Sequence, residues 1–118
     1  MTRRTQRVGD ILRTELSTII SRRVRDPRVA MATVSAVDMS PDLKHARVYV
    51  SVVGTDDERQ ASLDTLRHAA GYIRGQLAKE LKHLRSIPEL RFELDRGAEY
   101  SQRITELLEN PDEHNEST

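Results

Sequence analysis

Arginine is the residue type in this chain with most chemistry to offer. The 118 residues include 19 bases, and 16 of these are arginine. A planar guanidinium forks onto phosphate oxygens and stacks on bases in ways an ammonium does not. Two groups stand out. Arg3, Arg4, Arg7, Arg22, Arg25 and Arg28 crowd the N-terminal stretch, and Arg67, Arg74, Lys79, Lys82 and Arg85 follow later, with Glu80 as the one acid among the second group. An ordinary solvated face intersperses acids with bases, so the scarcity of acids favours phosphate-binding surfaces. Codon bias toward arginine explains the composition equally well, but it does not explain this clustering.

Catalytic groups are scarce. The absence of cysteine excludes thiol nucleophiles, disulfides and thiolate-ligated zinc. His45, His68, His83 and His114 are scattered and never reach a metal-ligand spacing. Glu80 and His83 share one helix face, where Lys-Glu-Leu-Lys-His reads as solvated surface. There is no phosphate-cradling glycine loop and no nucleophile elbow. We expect a binding protein, not an enzyme, with no metal and no cofactor.

Overall composition argues against nucleic acid at first sight, because acids also number 19 and the net charge is zero. Mapping resolves this: residues 1–28 sum to +5, 29–54 to 0, 55–88 to +1 and 89–118 to −6. A body of +6 is cancelled by an acidic terminus. No apolar run nears the roughly 18–20 residues that span a bilayer, and the charges after Met1 precede no apolar stretch, so neither a membrane span nor a secretory signal is expected.

The elements that must position these cations follow from periodicity. Val8, Ile11, Leu12, Leu16, Ile19, Ile20 and Val24 predict an amphipathic helix over residues 5–25, with Thr5 as N-cap and Pro27 forcing the stop. Continued helix there would aim Arg23 into the apolar sector, so either its stem snorkels or the last turn frays. Strands are expected over residues 33–39 and 45–53, joined by Ser40-Pro41-Asp42. In the second, Ala46, Val48, Val50 and Val52 face inward, opposite Arg47, Tyr49 and Ser51. Thr55-Asp56-Asp57-Glu58 has the form of a capping box, which opens a long helix over residues 56–84. At about 100° per residue, Arg67, Arg74, Lys82 and Arg85 would share one quarter of its circumference, flanked by Lys79. Gly71 and Gly75 interrupt it, which predicts a kink, a close backbone approach or a small-residue patch packed on a sheet. Leu90, Phe92 and Leu94 alternate in a third strand entered through Pro88. Tyr100, Ile104, Leu107 and Leu108 predict a last short helix, and residues 110–118 have nothing to bury. For base stacking, only Tyr49 and Tyr72 are candidates, which favours phosphate and shape recognition of folded RNA.

Seven stretches in series resemble the bacterial ribosome-binding factor A family. They are Arg4-Thr5-x-Arg7-Val8, Arg25-Asp26-Pro27-Arg28, Thr33-Val34-Ser35-x-Val37, Ser40-Pro41-Asp42-Leu43 running into Ala46-x-Val48-Tyr49-Val50-Ser51, Gly71-Tyr72-Ile73-Arg74 with Leu77, Ile87-Pro88-Glu89-Leu90-x-Phe92, and Arg103-Ile104 with Leu107-Leu108. The resemblance implies an α+β fold of type II KH-like order, α-β-β-α-kink-α-β. A three-stranded sheet would carry the helices on one face and a short C-terminal helix would follow. One domain would span residues 1–109, with a disordered acidic tail over 110–118. Gly71 and Gly75 are separated by three residues, one too many for the Gly-x-x-Gly clamp of most KH domains, which is therefore absent. Ala69-Ala70-Gly71 instead matches this family's interhelical kink, which places Ala69 and Gly71 at it. The implied role is a cytoplasmic, monomeric assembly factor. It would bind free 30S subunits and 16S rRNA near the decoding region, support late 16S processing beside assembly GTPases, and leave before translation.

Overall fold

The computed structural model describes residues 3–84 and 86–95. The expected C-terminal helix and the 110–118 tail lie outside the described residues. The elements are α1 (Arg3–Arg22), a 3-10 turn (Pro27–Val29), β1 (Ala32–Met39), β2 (His45–Val52), α2 (Asp56–His68), α3 (Ala70–Glu80) and β3 (Glu89–Leu94). This is the expected α+β order, with a break between the last two helices.

Helix α1 begins two residues before the expected N-cap. Thr5 is buried inside the first turns instead of capping them, and it extends the core stripe through Gly9, Leu12, Leu16, Ile19 and Ile20. The helix also stops three residues short of the expected end. The Ile19 carbonyl accepts from both Arg23 N (2.7 Å) and Val24 N (3.3 Å), which closes the last turn. The stop leaves Arg23 exposed and Val24 half-buried against the core, so no charged side chain has to enter the apolar sector.

The sheet order is β1-β2-β3, antiparallel between β1 and β2 and parallel between β2 and β3. The hairpin turn is built by side chains. Ser40 Oγ donates to Asp42 Oδ1 (2.6 Å), and that carboxylate accepts from Lys44 N (3.0 Å). Leu43 takes the positive φ (62°) that the turn requires. Register slips by one residue in β1, where Val34 opposes Val50 but Ala36 opposes Tyr49, leaving Ser35 as a bulge. The extra residue restores Val37 and Met39 to the core side and keeps Asp38 outside.

The helices cover one face of the sheet. Ala46, Val48, Val50, Val52, Leu90 and Phe92 form the floor, and Leu12, Leu16, Leu66, Ile73 and Leu77 pack onto it. Phe92 is almost fully enclosed (1% exposed), a burial of the class that contributes about 1.5–3 kcal/mol. Helix α2 opens on the expected capping box: Glu58 N donates to Thr55 Oγ1 (3.2 Å) and Thr55 N to Glu58 Oε1 (3.0 Å).

Candidate nucleic-acid interface

The single long helix expected over residues 56–84 is two helices and a turn. Ala69 stays in the right-handed region but departs from ideal helix at φ −86°, ψ 0°, and caps α2 with its N–H on Thr65 O (3.0 Å). Helix α3 then ends at Glu80 because Leu81 (φ −115°, ψ 52°) turns inward and is buried. The cationic ridge predicted on one helix face therefore does not form. Arg67 lies before the break, Arg74 beyond it, and Lys82 in the turn after α3. Arg85 lies outside the described residues.

Gly71 and Gly75 sit in α3 with ordinary backbone geometry, and a Cβ at either would meet nothing within 4 Å. Neither marks a close approach among the described residues. That role belongs to Gly9, which sequence reading passed over: a Cβ there would lie 3.0 Å from Val37 O. It lets α1 settle onto β1.

Several predicted cations are already engaged. Arg28 grips Asp26 with two prongs, Nε to Oδ1 (3.0 Å) and Nη2 to Oδ2 (2.7 Å), and its own N–H donates to the same carboxylate (2.9 Å). These bonds, the side-chain ones foremost, hold the Asp26 carboxyl at about 2, below its ordinary 3.8. Arg74 donates from Nη2 to Ile87 O (2.8 Å) and from Nε to Pro88 O (3.2 Å), and Arg67 donates from Nε to Phe92 O (3.3 Å). On the sheet face opposite the helices Arg47 lies 3.5 Å from Glu93 and 3.4 Å from the hydroxyl of the half-buried Tyr49, so the one stacking candidate in a strand is already in contact.

The remaining predicted cations are exposed and form no ion pair among the described residues: Arg3, Arg4 and Arg7 at the start of α1, Arg22 and Arg25 at its end, and Lys79 and Lys82 around the end of α3. Arg23 joins the second group. Of the two expectations for Arg23, the early end of the helix is the one found, and it turns the side chain to solvent. The two arginine groups flank a 20-residue helix, which puts them roughly 28 Å apart at 1.5 Å per residue. The N-terminal group sits at the positive end of the helix dipole, with no acid in the first turn to offset it. That placement disfavours the helix and favours an anion near it. No group of three or more His, Asp or Glu among the described residues is arranged to hold a metal ion, and no described helix is long and apolar enough to cross a membrane.

Comparison with known proteins supplies an independent view. A family model described as ribosome-binding factor A matches residues 4–108. The ribosome-binding factor A of Thermomicrobium roseum is 47% identical over 105 residues, 89% of this chain and 81% of that protein. That of a Roseiflexus species is 44% identical over 108 residues, 92% of this chain and 83% of that one. The crystal structure of ribosome-binding factor A from Thermus thermophilus superposes with a TM-score of 0.68 at 27% identity, covering 76% of this chain and 94% of that one. A homology model of the Thermus thermophilus protein, fitted into a cryo-EM map of its complex with the 30S subunit, gives a TM-score of 0.66 at 27% identity, over 77% and 94% of the two chains.

Proposed function

This chain belongs to the ribosome-binding factor A family, and from that premise we propose that it is an assembly factor of the small ribosomal subunit. It binds free 30S subunits through 16S rRNA, supports late 16S rRNA processing and catalyses no reaction itself. One observation carries the reading: a relative of the same fold, 27% identical, has been fitted into the map of a 30S complex.

The contacts are electrostatic. Arg3, Arg4 and Arg7 at one end of α1, and Arg22, Arg23 and Arg25 at the other, present guanidinium groups that no described acid neutralises. Phosphates on both sides of a folded RNA element span such a separation, whereas one short single strand does not need it. Lys79 and Lys82 add charge near the end of α3. In a KH-like fold without the Gly-x-x-Gly loop, cations on rigid elements take over the work of a backbone clamp. Held this way, the protein fixes an rRNA conformation and blocks early entry into translation, acting as a cytoplasmic monomer beside assembly GTPases and away from membranes.

Co-sedimentation of the full chain with purified 30S subunits tests the reading. Binding that falls steeply between 50 and 200 mM salt is expected, as counterion release requires when about 6–10 phosphates are contacted. Salt-insensitive binding would move the partner from rRNA to a ribosomal protein. RNA cleavage by the purified chain, abolished by EDTA, would overturn the non-catalytic role.

A further inference from the structure

Arg67 and Arg74 stand on either side of the break at Ala69, yet one ends on a main-chain carbonyl of β3 and the other on the two carbonyls that lead into it. Among the described residues, strand β3 is paired with β2 alone. Its odd-numbered residues face β2, as Glu89 N to Lys44 O (2.8 Å) and Asp95 N to Val50 O (2.7 Å) mark at the two ends. The even-numbered residues therefore turn their main-chain groups to the outer edge of the sheet. Pro88 has no N–H to offer there, and its carbonyl is taken by Arg74 Nε (3.2 Å), while Arg74 Nη2 takes the neighbouring Ile87 O (2.8 Å). Four residues further on, roughly 13 Å along a strand, Arg67 Nε takes Phe92 O (3.3 Å).

Two requirements meet at these contacts. The two helices are joined by main-chain bonds through Ala69, whose N–H donates to Thr65 O (3.0 Å) and whose carbonyl accepts from Ile73 N (2.9 Å), and Ala69 supplies no side-chain cap to α3, so few local bonds set the angle between α2 and α3. An edge strand with open carbonyls is also a template for pairing with another chain. A guanidinium answers both, because its charge strengthens a bond to a carbonyl and its fork reaches two carbonyls at once. Neither arginine has a carboxylate partner among the described residues.

We infer that Arg67 and Arg74 form a two-point clamp, positioning residues that lock the α2–α3 angle to β3 and close the outer edge of the sheet. They are not phosphate ligands. The clamp stands whether or not the chain binds 30S subunits, and only one arm of its test uses them.

Two full-length variants separate the roles. Arg67→Lys/Arg74→Lys keeps both charges and loses the fork, while Arg67→Gln/Arg74→Gln removes the charges. Amide hydrogen exchange is expected to quicken about tenfold at Arg91, Glu93 and Asp95, whose N–H groups face β2, and across residues 69–73 in both variants. Exchange at the wild-type rate in the lysine variant overturns the clamp, and that variant retains the charge should the glutamine pair fail to fold. In the second arm, the salt dependence of 30S co-sedimentation should keep the wild-type slope in the glutamine variant. A log–log slope shallower by ~2 would show two lost phosphate contacts and overturn the assignment. Should wild-type protein show no 30S binding, the proposed function fails and the exchange arm alone decides the clamp.

Discussion

At the scale of single residues, the same side-chain type does opposite jobs. Arg28 is held by Asp26, whereas Arg22, Arg23 and Arg25, only a few positions away, stay exposed. The pair has a pH signature. The Asp26 carboxyl is lowered in the folded protein to about 2 from an ordinary 3.8, so its contribution is fully present above about pH 4 and is lost as pH falls through about 2. Asp26→Asn is expected to lower the urea midpoint at pH 7, and the gap to wild type should narrow below about pH 4 and close about one unit below the folded value of about 2. A gap that does not narrow over that range would show that the asparagine disrupts the turn itself. Gly9 makes a second prediction. Its added methyl would press on Val37 O at 3.0 Å, and overpacking against a strand's main chain outweighs the gain in helix propensity. Gly9→Ala should destabilise the protein by about 1 kcal/mol, read from chemical denaturation.

At the scale of elements, the start of α2 and the end of α1 show how local and distant forces share control. The capping box over Thr55 and Glu58 was legible because its bonds close within four residues and depend on residue type. The end of α1 was legible only in outline. Pro27 sets the latest stop, but burial decides where the chain leaves the helix. The break at Ala69 was foreseen from glycines that prove not to be strained. Gly71 and Gly75 have open space around the missing Cβ and no positive φ. Gly71→Ala and Gly75→Ala are each expected to stabilise the domain by about 1 kcal/mol, seen as a higher denaturation midpoint. Their effect on 30S binding should differ from their effect on stability if RNA approaches α3 closely. The bulge at Ser35 had no signal of its own. Val37 and Met39 need it to face the core, and that need is visible only once β1 is paired with β2.

At the scale of the molecule, the placement of charge matters more than its amount. The predicted cations without partners among the described residues lie at the two ends of α1 and near the end of α3, while Arg13, Lys44 and Arg91 are exposed elsewhere, and together they do not form the single ridge that helical projection foretold. Charge reversal of Arg22, Arg23 and Arg25 together is expected to weaken 30S co-sedimentation at least tenfold and to reduce its salt dependence. The circular dichroism spectrum should stay unchanged, because these side chains are exposed and bear no structural bond among the described residues. Undiminished binding would move the interface elsewhere. Removal of residues 110–118 is expected to leave both the denaturation midpoint and 30S binding close to wild type, since that stretch has nothing to bury.

The sequence by itself determined the element order, the hairpin turn, the capping box and the family, because periodicity, turn chemistry and motif order are written in neighbouring residues. It also exposed the +6 body behind a net charge of zero. Only the tertiary structure decided what each arginine does. A guanidinium projected on a helical wheel is free to meet phosphate. The same group beside a strand edge finds carbonyls first, and nothing local records that Phe92 and Pro88 come within reach of Arg67 and Arg74. The sheet pairing and the break at Ala69 bring them together, and so they divide the cations into those bonded within the fold and those left exposed.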